Sequence, residues 1–203
     1  MRTDFAKGLL RKLKPLTCPF GPVRIALTGT PGTGKSAVAR SLSKRGFAVV
    51  AVSQAAVRLG AVRGRDARRG SLEVDVVALD RALTKEMRAA SSRKPLILEG
   101  HLAHFLSVDR AVVLRCPPSV LARRLRRRGW GERKVRENAC AEAVGVIVTE
   151  AVERLGRSRV FEMNTAGVSP EVAGRAVAAI ATGRGKLHAA GRIDFLEEAP
   201  RWC

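Results

Sequence analysis

Eight consecutive residues, Gly29-Thr30-Pro31-Gly32-Thr33-Gly34-Lys35-Ser36, constrain this chain more than any other stretch. They meet the pattern G-x-x-x-x-G-K-(S/T) at every fixed position. Glycines at those places permit a tight turn whose backbone N–H groups converge on an anion. The flanks agree. Val23-Arg24-Ile25-Ala26-Leu27-Thr28 is an apolar, β-prone run before the turn. After it, Ala37, Val38 and Leu42 recur at helical spacing until Gly46 offers a C-cap. Strand, glycine turn and helix together aim a helix N-terminus at a phosphate group. In such a loop Gly32, Thr33 and Gly34 wrap the phosphates of ATP, Lys35 reaches the β- and γ-phosphates, and the Ser36 hydroxyl ligates Mg2+. A surface turn rich in glycine and proline could meet the pattern by accident. Such a match somewhere in a chain of 203 residues is on the order of one in a hundred.

The length suffices for one α/β domain with a full core and short appendages. A hydrophobic share of 46% argues against disorder. No apolar run is as long as a membrane helix and no signal-peptide pattern opens the chain, so a soluble, cytoplasmic protein is expected. Cys18, Cys116, Cys140 and Cys203 are widely separated, with neither C-x-x-C nor zinc-like spacing. They are expected to be free thiols, a disulfide being admissible only in the exceptional intracellular setting of a hyperthermophile. Lysine and arginine number 38 against 18 acidic residues, giving +20, and 29 of the 38 are arginine. A small-molecule kinase needs only a few cations around its phosphates. The surplus fits a surface that meets a polyanion such as RNA, or a genome biased toward arginine codons with a merely solvated surface. Aromatic residues are scarce, at six Phe, two Trp and no Tyr, so contact with RNA would be mostly to backbone phosphates.

Taken in order, residues 1–22 form a basic extension ending in Pro19-Phe20-Gly21-Pro22, in which Phe5, Leu9, Leu10 and Leu13 could share one face of a short helix. Phe47 to Val52 reads as a second buried strand, with Ser53 as N-cap of a short helical turn. Residues 58–70 are basic, glycine-punctuated and aperiodic. They read as a loop, either solvated or holding an acceptor nucleotide's phosphate between arginines. Val76, Leu79, Leu83 and Met87 predict a helix over about 74–91. Leu96-Ile97-Leu98-Glu99 is a third strand that ends in an acid, followed by Gly100-His101. A strand-end carboxylate beside a phosphate loop is the Walker B arrangement, in which Glu99 holds Mg2+ through a water. Alone, such an acid often caps the next turn. His101 could orient an attacking water or an active-site carboxylate, whereas His104 reads as structural.

Ala111 to Cys116 is a fourth strand, and Pro117-Pro118-Ser119 opens a helix carrying Arg123, Arg124, Arg126, Arg127 and Arg128. Five arginines in six positions cannot share one face. The last of them, beside Gly129, sit where a lid can fold over ATP phosphates, with Trp130 either packing the lid or stacking on a base. Ala139, Ala143, Ile147, Ala151 and Leu155 predict one amphipathic helix over 132–155. Arg159 to Asn164 is a fifth strand. Ser169-Pro170 caps a closing helix that runs to Gly183. The tail to Cys203 offers Phe195 and Trp202 as anchors. Five strands alternating with helices predict a P-loop NTPase: a doubly wound parallel sheet with the nucleotide at its C-terminal edge.

These residues together carry a family resemblance. The loop 29–36, Glu99-Gly100-His101, Arg127-Arg128-Gly129-Trp130, Lys134-Val135-Arg136-Glu137-Asn138, Ala141-Glu142 and the tail Gly191-Arg192-Ile193-Asp194-Phe195-Leu196-Glu197 resemble the adenylate kinase isoenzyme 6 family, in its archaeal form. The resemblance spans about residues 23–198. It implies a nucleoside-monophosphate-kinase-like domain over 23–183, with a short acceptor region near 51–75 and a small lid near 127–137. It implies that Gly32, Gly34, Lys35, Ser36, Ala37 and Arg128 contact ATP, and that Glu99 and His101 form the family's acid-x-His motif. The implied activity is transfer of the ATP γ-phosphoryl to AMP, together with ATP hydrolysis. The implied partners are rRNA and a small-subunit ribosomal protein during ribosome maturation. Two positions depart from the pattern: Glu99 stands where animal members have Asp, and Gln54 where many members carry an acid. A P-loop module that binds RNA or a ribosomal protein with little turnover is the alternative reading.

Overall fold

The structure is a computed structural model describing residues 23–66, 71–89, 95–184 and 188–203. The expected N-terminal helix and Cys18 lie outside the described residues. In chain order the strands are β1 (Arg24–Thr28), β2 (Ala48–Ala51), β3 (Val62–Asp66), β4 (Ser71–Val74), β5 (Leu96–Glu99), β6 (Arg110–Arg115) and β7 (Val160–Asn164). The helices are α1 (Lys35–Lys44), α2 (Val52–Arg58), α3 (Val76–Ala89), α4 (Pro118–Arg126), α5 (Glu132–Ala143), α6 (Val146–Leu155), α7 (Pro170–Ala181) and α8 (Ala199–Trp202).

Strand side chains alternate between two faces, and here both faces are apolar. Ile25, Leu27, Ile97, Val112 and Leu114 join one cluster, which α1 and α7 cover with Val38, Leu42, Val177 and Ile180. Ala26, Leu96, Leu98, Ala111 and Val113 join the other, covered by Ala55, Leu79, Leu83, Ala151 and Leu155 from α2, α3 and α6. Strands buried on both faces belong in a parallel sheet between helical layers. The sheet has five strands in the order β2-β5-β1-β6-β7, every pairing parallel. The predicted doubly wound P-loop fold is therefore present.

A third, smaller cluster lies beside the sheet. Leu121, Ala122 and Leu125 of α4 pack with Val135 and Ala139 of α5 and with Trp202 of α8. The C-terminal segment is thus part of the core. Glu198 accepts the Ser119 N–H (2.9 Å) and the Ser119 hydroxyl at the start of α4.

Several expectations need correction. Cys140 and Cys203 form a disulfide, with Cα atoms 5.0 Å apart, where free thiols were expected. Docking of α8 on α5 juxtaposes two residues separated by 63 positions, a proximity no local spacing encodes. Cys116 is buried and free, and burial raises its thiol pKa to about 11. The single helix over 132–155 is two helices, because Gly145 adopts φ 67° and turns the chain between Ala143 and Val146. Within the basic stretch 58–70, the described part includes β3, which pairs with β4 as an antiparallel ribbon rather than an aperiodic loop. Arg63 there is tied to Asp75 at 2.6 Å. Helix α2 begins one residue before Ser53, which does not cap it.

Candidate nucleotide site

Residues 29–34 connect β1 to α1, and the loop is held from within. Lys35 Nζ donates to the carbonyls of Gly29 (2.7 Å) and Thr30 (3.1 Å). The Thr33 hydroxyl donates to Thr30 O (2.9 Å), and Thr165 Oγ1 to Thr33 O (2.8 Å). Arg124 reaches Gly32 O at 3.4 Å and Thr165 O at 3.2 Å. Peptide C=O and N–H groups point in opposite directions, so with the Gly29 and Thr33 carbonyls engaged on the protein side the N–H groups of Thr30 and Gly34 turn toward the open side, whereas residue 31 is proline and the Thr33 N–H is bonded to Thr30 O (3.2 Å). Gly32 also permits a close approach. At φ 96°, an added Cβ would lie 2.8 Å from Leu121 and 2.9 Å from Leu125, so the loop rests directly on α4.

Parallel pairing of β1 with β5 sets Leu27 opposite Glu99 and places the strand-end acid beside the loop. The Ser36 hydroxyl donates to Glu99 Oε1 at 3.2 Å. Lys35 is only 8% exposed, and burial lowers its pKa to about 8, against the opposing charges of Glu99 and Glu142 and together with Arg128. His101, two residues past Glu99, has a pKa below the usual value, through desolvation first and then the charges of Lys35 and His104, which Glu150 opposes. His104 is fully buried, its Nδ1 3.1 Å from Thr28 Oγ1 and its Nε2 3.2 Å from Glu150 Oε2. That is a structural tie between β1 and α6.

On the other side of the loop lies a cleft of about 420 Å³. Gly32, Thr33, Gly34 and Ala37 form one wall and Arg124, Arg127 and Arg128 another, with Val168 and Pro170 as apolar lining. The residues singled out in the sequence therefore fall into two adjoining groups. Lys35, Ser36, Glu99 and His101 gather on one side of the loop; Gly32, Thr33, Gly34, Ala37 and Arg128 line the cleft. The described residues contain no group of three or more His, Cys, Asp or Glu that could hold a metal. Ser36 and Glu99 do offer the hard oxygen donors that Mg2+ takes from protein when phosphates and water complete its shell.

Sequence reading did not give site roles to Thr30, Arg115, Arg124, Glu142, Glu162 or Thr165. Arg115 is 3% exposed and lies between two acids, Nε to Glu142 Oε1 and Nη1 to Glu162 Oε1, both at 2.7 Å. Glu142 Oε1 also accepts the Cys116 N–H (3.1 Å), and its Oε2 accepts the Thr30 hydroxyl. Burial raises the Glu142 pKa, opposed by Arg115 and Thr30. A signal existed: Glu142 falls on the apolar face of its helix beside Ala139 and Ala143, where an acid needs a buried partner.

The family described as "AAA domain" matches residues 25–145. A protein named "Putative adenylate kinase" from Natronomonas pharaonis is 39% identical over 175 residues, covering 86% of this chain and 99% of its own. One of the same name from Archaeoglobus fulgidus is 42% identical over 177 residues, covering 86% and 92%. Among solved structures, TT1252 from Thermus thermophilus superposes with a TM-score of 0.51 at 22% identity, over 79% of this chain and 98% of that one. Shikimate kinase from Acinetobacter baumannii, in complex with shikimate, superposes with a TM-score of 0.50 at 17% identity, over 80% and 94%. These two likenesses bear on the fold.

Proposed function

The chain belongs to the family of the archaeal proteins named "Putative adenylate kinase" and carries an AAA-type P-loop domain, and from that premise we propose that it transfers the ATP γ-phosphoryl to AMP. In finer terms it acts as an adenylate kinase of the isoenzyme 6 type. One observation carries the reading most: a caged lysine, a Ser36–Glu99 oxygen pair and an arginine-lined cleft converge on one glycine loop.

Phosphoryl transfer needs positioning and charge neutralisation more than covalent chemistry. Loop amides between Gly32 and Ser36 cradle the phosphates, with Ala37 against the nucleotide. Lys35 exchanges its carbonyl partners for β- and γ-phosphate oxygens. Arg128, with Arg124 and Arg127 along the same wall, neutralises charge as the acceptor oxygen bonds to phosphorus and the bond to the β–γ bridging oxygen breaks. Ser36 and Glu99 would hold Mg2+, which would supply charge to neutralise the phosphates. His101 stands where it can orient the attacking group. The acceptor binds over residues 51–75, against the β3–β4 ribbon, and residues 127–137 act as the lid.

A second reading is favoured by the charge of +20. ATP hydrolysis would then serve small-subunit ribosome maturation, with rRNA and a ribosomal protein as partners. Measuring ADP formation from ATP alone and from ATP plus AMP separates the two activities. Stimulation by AMP is expected, and equal rates would reject the kinase. Lys35→Ala should abolish both activities, and turnover surviving it would reject the assigned loop.

A further inference from the structure

One buried acid has no part in that mechanism. Glu142 lies in the last turn of α5, is 2% exposed, and spends both carboxylate oxygens on buried donors. We propose that Glu142 is a positioning residue for the phosphate loop. It grips Thr30, whose carbonyl anchors Lys35, and so joins the loop to the C-terminal end of α5, the helix whose first turns fall in the proposed lid.

Charge balance carries the first half of the argument. A buried carboxylate is costly unless it is paired. Arg115 already has a buried partner in Glu162, which also accepts the N–H groups of Gly191 (2.5 Å) and Arg192 (3.3 Å). One acid would neutralise Arg115; the site holds two. The additional acid is Glu142, whose pull on Lys35 is second to that of Glu99, so it is answered chiefly by its own buried donors, Arg115, the Cys116 N–H and the Thr30 hydroxyl.

Connectivity carries the second half. The Thr30 carbonyl accepts from Lys35 Nζ, from the Thr33 hydroxyl and from the Thr33 N–H (3.2 Å), so the place of residue 30 sets the place of three loop groups. The Thr30 side chain is fixed at its other end by Glu142, 112 residues further along the chain. Arg115 Nη2 holds the Glu142 carbonyl at 3.0 Å and so fixes the end of α5. Thr30, Glu142 and Arg115 thus make a rigid strut between loop and helix.

The inference rests on the reading that residues 29–36 hold ATP, and its test separates the two. Thr30→Val keeps the branched shape and removes only the hydroxyl; Thr30→Ser keeps the hydroxyl. In Glu142→Gln the amide oxygen faces Arg115 and the Cys116 N–H, so its NH2 faces Thr30 and cannot accept that proton. Mg-ATP affinity by equilibrium titration, kcat, and the KM for AMP would be measured for each variant. Thr30→Val and Glu142→Gln should each weaken ATP binding and lower kcat by about tenfold, the size expected of a hydrogen bond to a charged acceptor. The KM for AMP should hold, Thr30→Ser should behave as wild type, and the double variant should be no worse than the poorer single one. Wild-type affinity and turnover in Thr30→Val, or effects that add in the double variant, would overturn the inference even if Glu142→Gln fails to fold. Wild-type protein that binds ATP without transferring phosphoryl would instead overturn the functional reading, and the binding measurements would still decide the strut.

Discussion

Lys35 concentrates the residue-scale physics of this protein. A lysine this buried has a pKa near 8, because removal from water disfavours the charged form. Two consequences of opposite sign follow. The kcat/KM for ATP reports the free enzyme, so it should fall as pH rises through about 8 and Lys35 loses its proton, whereas kcat, measured with phosphates in place, should hold to higher pH. Stability of the nucleotide-free protein moves the other way. Between about 8 and the ordinary 10.5 the unfolded chain binds the proton that the folded chain has released, so this group's contribution to stability rises with pH across that window. Below 8 its penalty is fully present. Denaturation at several pH values, compared with Lys35→Met, should show the rise in wild type alone. Gly32 offers a steric test beside it. Gly32→Ala places a Cβ against Leu121 and Leu125, so ATP affinity should drop by at least about tenfold, as for a small-to-large change in a packed contact. The motif residues were legible in the sequence because their chemistry is packed into eight consecutive positions. The roles of Thr30 and Glu142, though both stand in motifs the sequence displays, and of Arg115 and Glu162 were not, because their meaning lies in pairings up to 112 residues apart.

Elements were legible where period and punctuation agreed. Strands β1, β5 and β6 could be read because each is largely an apolar run bounded by Gly, Pro or a charged residue; β7 was found although it carries Glu162, and β2, expected to be buried, is an edge strand with Ala48 exposed and its other residues half-buried. The closing helix was readable from Ser169-Pro170, and the Ser169 hydroxyl does accept the Val172 N–H at 3.3 Å. The break between α5 and α6 escaped because apolar residues keep a four-residue spacing across it, so periodicity outvoted one glycine. Tertiary structure decides the matter. Gly145 takes the left-handed conformation, beside the Arg115 guanidinium that binds the Glu142 carbonyl. A continuous helix would give up that contact. Gly145→Ala should therefore destabilise the protein by about 1–2 kcal/mol, the cost of a left-handed L-residue, as seen by denaturant titration with an unchanged m-value. The β3–β4 ribbon escaped for the opposite reason. Glycines at 60, 64 and 70 among charges that follow no period look like a loop unless the partner strand is known.

At the scale of the whole molecule, the chain closes on itself at the α4–α5 pair. Trp202 is 5% exposed in the α4–α5 cluster, and Cys203 is bonded to Cys140. Cross-linking residues 63 apart restricts the unfolded chain, so Cys203→Ser or reduction by a dithiol should cost about 2–4 kcal/mol of stability, read as a lower denaturation midpoint. The arginine surplus asks for a different kind of account. If each of the 18 acids were paired with a base, 38 − 18 = 20 cations would still be left over. The cleft beside the phosphate loop holds three arginines, so a nucleotide answers only a small part of that excess. The remainder repels itself in water and gains most from a ligand that is itself a chain of charges. Binding of a single-stranded RNA of about twenty nucleotides, titrated over a salt series, tests this. Six phosphate contacts give a slope of log affinity against log salt near −4, since each contributes roughly 0.7. Saturating ATP should leave that slope unchanged, because it occupies few of the cations involved. A slope near zero would return the arginines to solvent, and with them the case for a polyanionic partner.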